Sequence, residues 1–308
     1  MIVTCTMNPA IDLFCEFKNF DPFVVNRSYY EEYQANGKAI NISLMLKKMG
    51  IDSIATGFLG GFSGEYIETT LKEKGIEIAF IHNKGITRIN TFIHADKLEY
   101  KAVNRGPKIS PEAQQELLKF IGKLDVKDSL FVSGSLPRNV DESMLIKIAQ
   151  LSQKKGFSLI LDISSKTLLA CLPYAPELIK PSDEELAEFL GVNSDYLSNE
   201  NNVFEGAQKL LNMGAQHVII SRGSKGAVYL DNKHTIISSA PKGEVINTAC
   251  AGDTMLATFV GSRIKGKGVS QSLAFAIAAA SSTAFTSGLS NLDDVPELMK
   301  QIHLKSIK

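Results

Sequence analysis

The chain has 308 residues, 44% of them hydrophobic and 21% charged, with 33 Lys+Arg against 33 Asp+Glu. A chain of this length buries roughly three quarters of its unfolded surface and needs no disulfide or structural metal to hold a core. Its zero formal balance argues against a nucleic-acid or membrane-surface protein, which would carry a basic excess or stripe.

Short apolar or β-branched runs alternate with amphipathic stretches along the sequence. Ile2–Thr6 reads as a buried strand, and Ile11–Phe17 and Val25–Tyr33 as exposed ones. Next come a helix over Ile40–Met49, a strand over Ser53–Phe58, a helix over Gly64–Lys74 and an exposed strand over Arg88–His94. Helices over Glu112–Ile121 and Glu142–Lys155 flank a strand at Leu130–Ser133. Strands at Leu159–Asp162, Leu178–Lys180 and His217–Ser221 follow, with a helix over Val203–Met213 between the last two. From Cys250 the pattern is helical, ending in a small-residue helix around Ala274–Phe285. Alternation of this kind predicts a mostly parallel sheet with helices on both faces. The exposed strands suit a small antiparallel sheet projecting from it as a lid or dimer contact. With no repeat, low-complexity tract or Pro/Gly-rich linker, residues 1–308 read as one domain. Its lid strands come from about 11–35 and 86–105.

Cys5, Cys15, Cys171 and Cys250 form no CxxC pair, and the five histidines lack ligand spacing, so neither zinc nor a disulfide framework is expected. The opening MIVTCTMNPA lacks a secretory n-region. The most continuous apolar stretch, Leu273 to Ala280, is far short of the roughly 20 residues that span a bilayer. A cytoplasmic protein with reduced thiols is the expectation.

Common nucleotide motifs fail. Gly37-Lys38 has Ala39 where a Walker A loop needs Ser or Thr, and Glu32 where its first Gly belongs. Gly57-Phe-Leu-Gly60-Gly61-Phe-Ser-Gly64 lacks GxGxxG spacing. What remains is Asn247-Thr-Ala-Cys250-Ala251-Gly252-Asp253-Thr254-Met255, small residues opening a helical run. The first amides of such a helix lack intrahelical partners and favour anions. An Asp there can take a hydroxyl proton while the amides hold charge on a transferring phosphoryl group. Taken alone, Asp253 equally suits a plain helix-start acid, the commoner case.

Thr6-Met-Asn8-Pro9-Ala-Ile-Asp12, Gly37-Lys38-Ala-Ile-Asn41, the Gly57–Gly64 run, Thr87-Arg88-Ile-Asn90, Ser133-Gly134-Ser135-Leu136-Pro137, Lys180-Pro181 and Ala251-Gly252-Asp253 occur in one order. This ordered set closely resembles the ribokinase-like, phosphofructokinase-B-type carbohydrate kinases, from Ile2 to about Gly288. Bacterial 1-phosphofructokinases are nearest, then tagatose-6-phosphate kinases. The resemblance implies a three-layer α/β sandwich and ATP- and Mg²⁺-dependent phosphorylation of a sugar phosphate. Fructose 1-phosphate is the first expected acceptor and tagatose 6-phosphate the second. No nucleic acid or membrane is implied, and a homodimer through the lid is.

Carried over residue by residue, Asp253 matches the family's catalytic base, and Cys250, Ala251 and Gly252 fall at its anion hole. Asp12, Gly37, Lys38, Asn41, Asn90 and Ser135 match the sugar site. Arg88 suits the substrate's own phosphate, because a guanidinium forks onto phosphate oxygens, and Arg27 of the lid also matches. By resemblance Lys180, Ser182, Ser221, Gly223, Ser224 and Gly226 border the nucleotide, with Ala280 and Thr283 near the adenine and Glu185 on magnesium through water. Read without that likeness, Ser182–Glu185 is a capping box, Ser221–Ala227 a glycine-bearing hairpin, Asp12 a turn acid and either arginine a solvated strand charge.

Departures concentrate at the sugar end. The loop that commonly reads GGKG is Asn36-Gly37-Lys38-Ala39, and GAGD is Cys250-Ala251-Gly252-Asp253. Lys101 stands where Glu is usual. Cys250 at a helix start is read either as a somewhat acidified thiol or as a small buried residue. A kinase-like sensor with little catalysis, and a kinase for a nucleoside or unphosphorylated sugar, stay open beside the leading reading.

Overall fold

A computed structural model describes residues 1–96 and 98–307. Lys97, inside the expected lid range, and Lys308 lie outside the described residues. In chain order the elements begin with β1 (Ile2–Thr6), β2 (Ala10–Phe17), β3 (Tyr30–Asn36), α1 (Lys38–Lys48), β4 (Ile54–Leu59), α2 (Gly61–Glu73), β5 (Glu77–Ile78) and β6 (Ile81–His82). Then come β7 (Arg88–Ala95), β8 (Leu98–Ala102), α3 (Pro111–Ile121), β9 (Ser129–Ser133), α4 (Ser143–Lys155), β10 (Ser158–Asp162), α5 (Thr167–Cys171), β11 (Leu178–Ile179), α6 (Asp183–Leu190) and α7 (Glu200–Asn212). The chain ends with β12 (His217–Ser221), β13 (Ala227–Leu230), β14 (Thr235–Ser238), α8 (Ala251–Ile264), α9 (Val269–Ala284), α10 (Val295–Met299) and β15 (Leu304–Ile307).

The large sheet has the order β15-β14-β13-β12-β11-β10-β9-β1-β4-β5, with β6 also on β4. From β12 to β5 every pairing is parallel; β13, β14 and β15 add an antiparallel edge. Successive side chains of a strand point to opposite faces, and the core records that alternation. Leu130, Val132, Leu159, Leu161, Val218 and Ile220 pack with Leu117 of α3, Ile148 of α4 and Leu210 of α7. Phe131, Ile160 and Ile219 point the other way, onto Met45 of α1, Leu256 of α8 and Ile277 of α9. Both faces are therefore buried, which makes these strands read as continuous apolar runs and gives three layers.

A separate four-stranded sheet, in the order β3-β2-β7-β8, projects from the sandwich. Its outer pairings are antiparallel and its central pair, β2 with β7, is parallel. Ile11, Ala35 and Ile89 on its inner side pack with Ile40, Ile67 and Leu71 of α1 and α2. Asp12, Phe14, Asn90 and Phe92 occupy paired positions on the opposite face.

Two sequence expectations shift. The strand expected at Val25–Tyr33 begins only at Tyr30 and runs to Asn36. Asn26 explains its late start: its amide bonds Asp21 and Val24 backbone groups in a local loop that competes with strand pairing. The region after Cys250 is not wholly helical, because β15 pairs with β14. All four β15 residues are exposed, so no burial pattern marks it. No helix among the described residues is long and apolar enough to cross a membrane.

Candidate active site

The carboxyl ends of the parallel strands deliver the polar residues to one crevice, the usual ligand side of such a sheet. Thr6 closes β1, Asp162 closes β10, Lys180 follows β11 and Ser221 closes β12. Thr6 Oγ1 accepts the Ile40 N–H at 3.1 Å and so caps the start of α1. This contact requires a glycine at 37, where a Cβ would stand 2.6 Å from the Thr6 methyl. Ala39 is fully buried in the following helical turn.

Asp253 sits in the first turn of α8 and is only 5% exposed. The Thr254 N–H closes the first helical turn on Cys250 O; of the amides before it, that of Ala251 turns back to Thr248 O at a long 3.4 Å, and this turn forms the anion-favouring end of the helix. Lys180 stands over that turn, since a Cβ on Gly252 would meet its Nζ at 3.1 Å. Lys180 Nζ lies 3.4 Å and Lys38 Nζ 3.5 Å from Asp162 Oδ1. The other Asp162 oxygen is buried and has no partner.

Burial and the Asp162 charge push the Asp253 carboxyl up to about 6, against the pull of Asn41, Lys38 and Lys180. Burial opposes the Lys38 ammonium, but Asp162, Asp253 and Glu185 outweigh it and hold its pKa above the ordinary lysine value. The result is a buried Asp253 carboxyl held above the ordinary aspartate value beside Lys38 and Lys180.

Asp12 and the asparagines around it form a hydrogen-bonded chain. Asn90 Nδ2 donates to Asp12 Oδ1 at 2.7 Å, and Asn36 Nδ2 donates to Asp12 Oδ2. Asn36 Oδ1 accepts from Gly37 N at 2.6 Å and from Asn41 Nδ2 at 3.0 Å. Asn41 Nδ2 also lies 2.9 Å from Asp253 Oδ2 and 3.1 Å from Cys250 Sγ. A cavity of about 650 Å³ opens here, its wall including Asp12, Phe14, Asn36, Asn41 and Cys250. Ligand pockets commonly fall in this size range.

Arg88 Nη2 donates to Asn8 O at 2.8 Å, and its other nitrogens reach Pro9 O and Asn104 O. Burial lowers its pKa despite Asp12. Asn8 Nδ2 in turn reaches Ser135 Oγ at 3.2 Å, so Asn8 links Arg88, through its carbonyl, to Ser135, through its side chain. Arg27 lies apart on an exposed lid loop. Lys101 pairs with Glu99 at 3.0 Å within the lid.

Beyond β12, Ser182 and Ser221 sit side by side in a parallel bridge. Ser182 and Glu185 form a full capping box: Ser182 Oγ accepts Glu185 N, and Glu185 accepts Ser182 N at 2.9 Å. Arg222 ties the loop down through Asp183 and Leu197 O, which leaves Gly223 and Ser224 exposed. Gly226 has φ +92°, and a Cβ there would overlap Ser238 O at 1.9 Å. Ala280 is buried, and the Thr283 hydroxyl is engaged at 3.0 Å with Thr254.

The acidified-thiol reading of Cys250 is corrected. Burial, with Asp253 and Asp12 nearby, pushes this thiol up to about 12. Cys250 also holds left-handed backbone at φ 62°, a conformation that favours glycine. Sequence reasoning left Asp162, Asn36 and Asn8 out of the site. An acid ending a buried strand was the available signal for Asp162; Asn36 showed only as a departure from a motif.

Residues 6–296 match the family model described as pfkB family carbohydrate kinase. The chain is 47% identical over 304 residues to the D-tagatose-1-phosphate kinase of Bacillus licheniformis, with 99% of each covered. It is 33% identical over 302 residues to the 1-phosphofructokinase of Bacillus subtilis, with 98% of each covered. The crystal structure of Escherichia coli phosphofructokinase-2 in complex with fructose-6-phosphate superposes with a TM-score of 0.88 at 25% identity, over 97% of this chain and 98% of that one. With nearly its whole length matched, the chain belongs to the pfkB family of carbohydrate kinases.

Proposed function

We propose that this chain transfers the γ-phosphoryl group of ATP to a hydroxyl of a ketohexose 1-phosphate, with tagatose 1-phosphate as the favoured acceptor. The observation that carries the reaction is Asp253, buried at the start of α8 with its carboxyl raised to about 6 and joined through Asn41 to the Asp12 network. The favoured acceptor rests on the 47% likeness to a tagatose-1-phosphate kinase against 33% to a 1-phosphofructokinase. Fructose 1-phosphate, expected first from the sequence, is the second reading.

Asp12 anchors neighbouring acceptor hydroxyls, and Arg88 with Ser135 receives the existing phosphate. Asp253 takes the proton of the attacking hydroxyl, an ionised carboxylate at neutral pH with a basicity close to the working pH. The first amides of α8 at Ala251 and Gly252, with Lys38 and Lys180, hold the charge that develops on the phosphoryl oxygens. Ser182, Ser221, Gly223, Ser224 and Gly226 border the nucleotide phosphates. Ala280 and Thr283 border its base.

The unpartnered buried oxygen of Asp162 suits Mg²⁺, which takes one or two carboxylates plus substrate phosphates, and Glu185, whose charge acts on the same Lys38, would reach it through water. When bound it supplies further neutralisation of the phosphates. Residues 11–35 and 86–105 serve as the lid of a single kinase unit. Phe23, Val24, Val25, Leu98 and Val103 leave apolar surface on it, which a second copy covers in a homodimer. Sedimentation as a monomer at micromolar concentration would refute that assembly.

The test is ADP release from Mg-ATP with tagatose 1-phosphate, fructose 1-phosphate, tagatose 6-phosphate and fructose 6-phosphate. Turnover on a 1-phosphate well above both 6-phosphates is expected. No turnover on any, by folded protein that binds ATP, would favour the sensor reading.

A further inference from the structure

We infer that Asn36 is the residue that selects the acceptor's configuration, discriminating between ketohexose 1-phosphates that differ at a single hydroxyl-bearing carbon. The inference rests on the proposed function and deepens it.

Asn36 ends β3 one residue before the glycine turn into α1, on the cavity wall. Its side-chain oxygen is fully used, accepting from Gly37 N and Asn41 Nδ2. This fixes which end of the amide points at Asp12: the nitrogen does, donating one proton to Oδ2. An amide nitrogen carries two protons, so one remains. Asp12 is similarly half-used, with Asn90 on Oδ1 and Asn36 on Oδ2. Each carboxylate oxygen keeps one acceptor direction.

Asp12 and Asn36 therefore present an acceptor and a donor side by side. Two neighbouring hydroxyls satisfy the pair: one gives its proton to Asp12 Oδ2, and the next accepts the second Asn36 Nδ2 proton, which diverges from the one already given to Asp12. Bound this way the two hydroxyls have a fixed relative configuration, which a carboxylate alone would not impose. Inverting either carbon withdraws one hydroxyl and leaves the matching Asp12 acceptor direction or Asn36 proton without its sugar partner, a mismatch that disfavours the epimer. Tagatose and fructose differ by one such inversion. Because the far side of the Asn36 amide leans on Asn41, the same contact also sets the acceptor's orientation toward Asp253.

The test compares kcat/KM for tagatose 1-phosphate and fructose 1-phosphate in the wild type, Asn36→Gly and Asn36→Ser. The account expects the ratio between the two epimers to narrow at least tenfold in Asn36→Gly, chiefly through loss on the preferred one. Asn36→Ser keeps one short donor and should fall between. An unchanged ratio, even if both rates drop together, would overturn the inference, since a merely structural role lowers both epimers alike. If Asn36→Gly fails to fold, the ratio in Asn36→Ser decides. Wild-type protein that turns over neither 1-phosphate would instead bring down the proposed function, and this inference with it.

Discussion

The two ends of the crevice are built from different materials. The transfer end gathers charges on the rigid sandwich: Asp253, Asp162, Lys38 and Lys180, most of them buried. The sugar end is a relay of neutral amides, Asn90, Asn36 and Asn41, around the single carboxylate of Asp12, much of it carried on the projecting sheet. On the proposed function, charge at the first end acts on the transferring phosphoryl group and serves rate. Directional amides at the second act on the placement of hydroxyls, so they serve selection. Departures from the family pattern fall mainly on the second, where altered residues can retune specificity without disturbing the chemistry.

Substitutions at the two ends should therefore separate in kinetics. Lys38→Ala removes a preorganised cation from the transfer end and should lower kcat by about 100-fold or more. A change confined to KM would mean that Lys38 only binds ground-state substrate. Arg88→Ala should raise KM for the sugar phosphate about 10- to 100-fold, the worth of hydrogen bonds to a charged group, with kcat much less affected. An unmoved KM would remove Arg88 from the phosphate site and favour an unphosphorylated acceptor.

The charged end also carries a stability signature. Asp253 holds its proton more tightly folded, at about 6, than unfolded, where an aspartate titrates near ~3.9. Its contribution is thus most favourable below about pH 4 and is lost as pH rises through about 6. Asp253→Asn should then be more stable than the wild type at pH 7.5, by about 1–3 kcal/mol. Thermal melts should show the gap closing toward pH 4; equal melting temperatures at pH 7.5 would contradict the raised pKa. The smallest effect is expected at Cys250. With its pKa near 12, iodoacetamide at pH 8 should label it at least ~100-fold more slowly than a free cysteine. Rapid labelling in peptide maps would restore the acidified thiol.

The same division explains what the sequence made legible. Strands buried on both faces, such as Leu159–Asp162, read as unbroken apolar runs, and the sandwich followed from them. Asp253 was visible because small residues before a helix have a direct physical meaning. Asp162 closes a predicted strand, yet its importance comes from Lys38 and Lys180, 124 and 18 positions away in sequence, converging on one oxygen. The Asn36 relay was harder still, since no local pattern announces that amides from three separate elements will be linked through one carboxylate. β15 and the start of β3 escaped because exposed strands held by backbone pairing, or delayed by a side-chain loop, leave no periodicity.

The central claim is that Asp253 is the base of a sugar-phosphate kinase, and Asp253→Asn tests it most directly. Turnover of the preferred ketose 1-phosphate would be measured alongside ATP and acceptor binding. The account predicts a fall in kcat of roughly 1,000-fold or more with both affinities largely kept; turnover at the wild-type rate would contradict it.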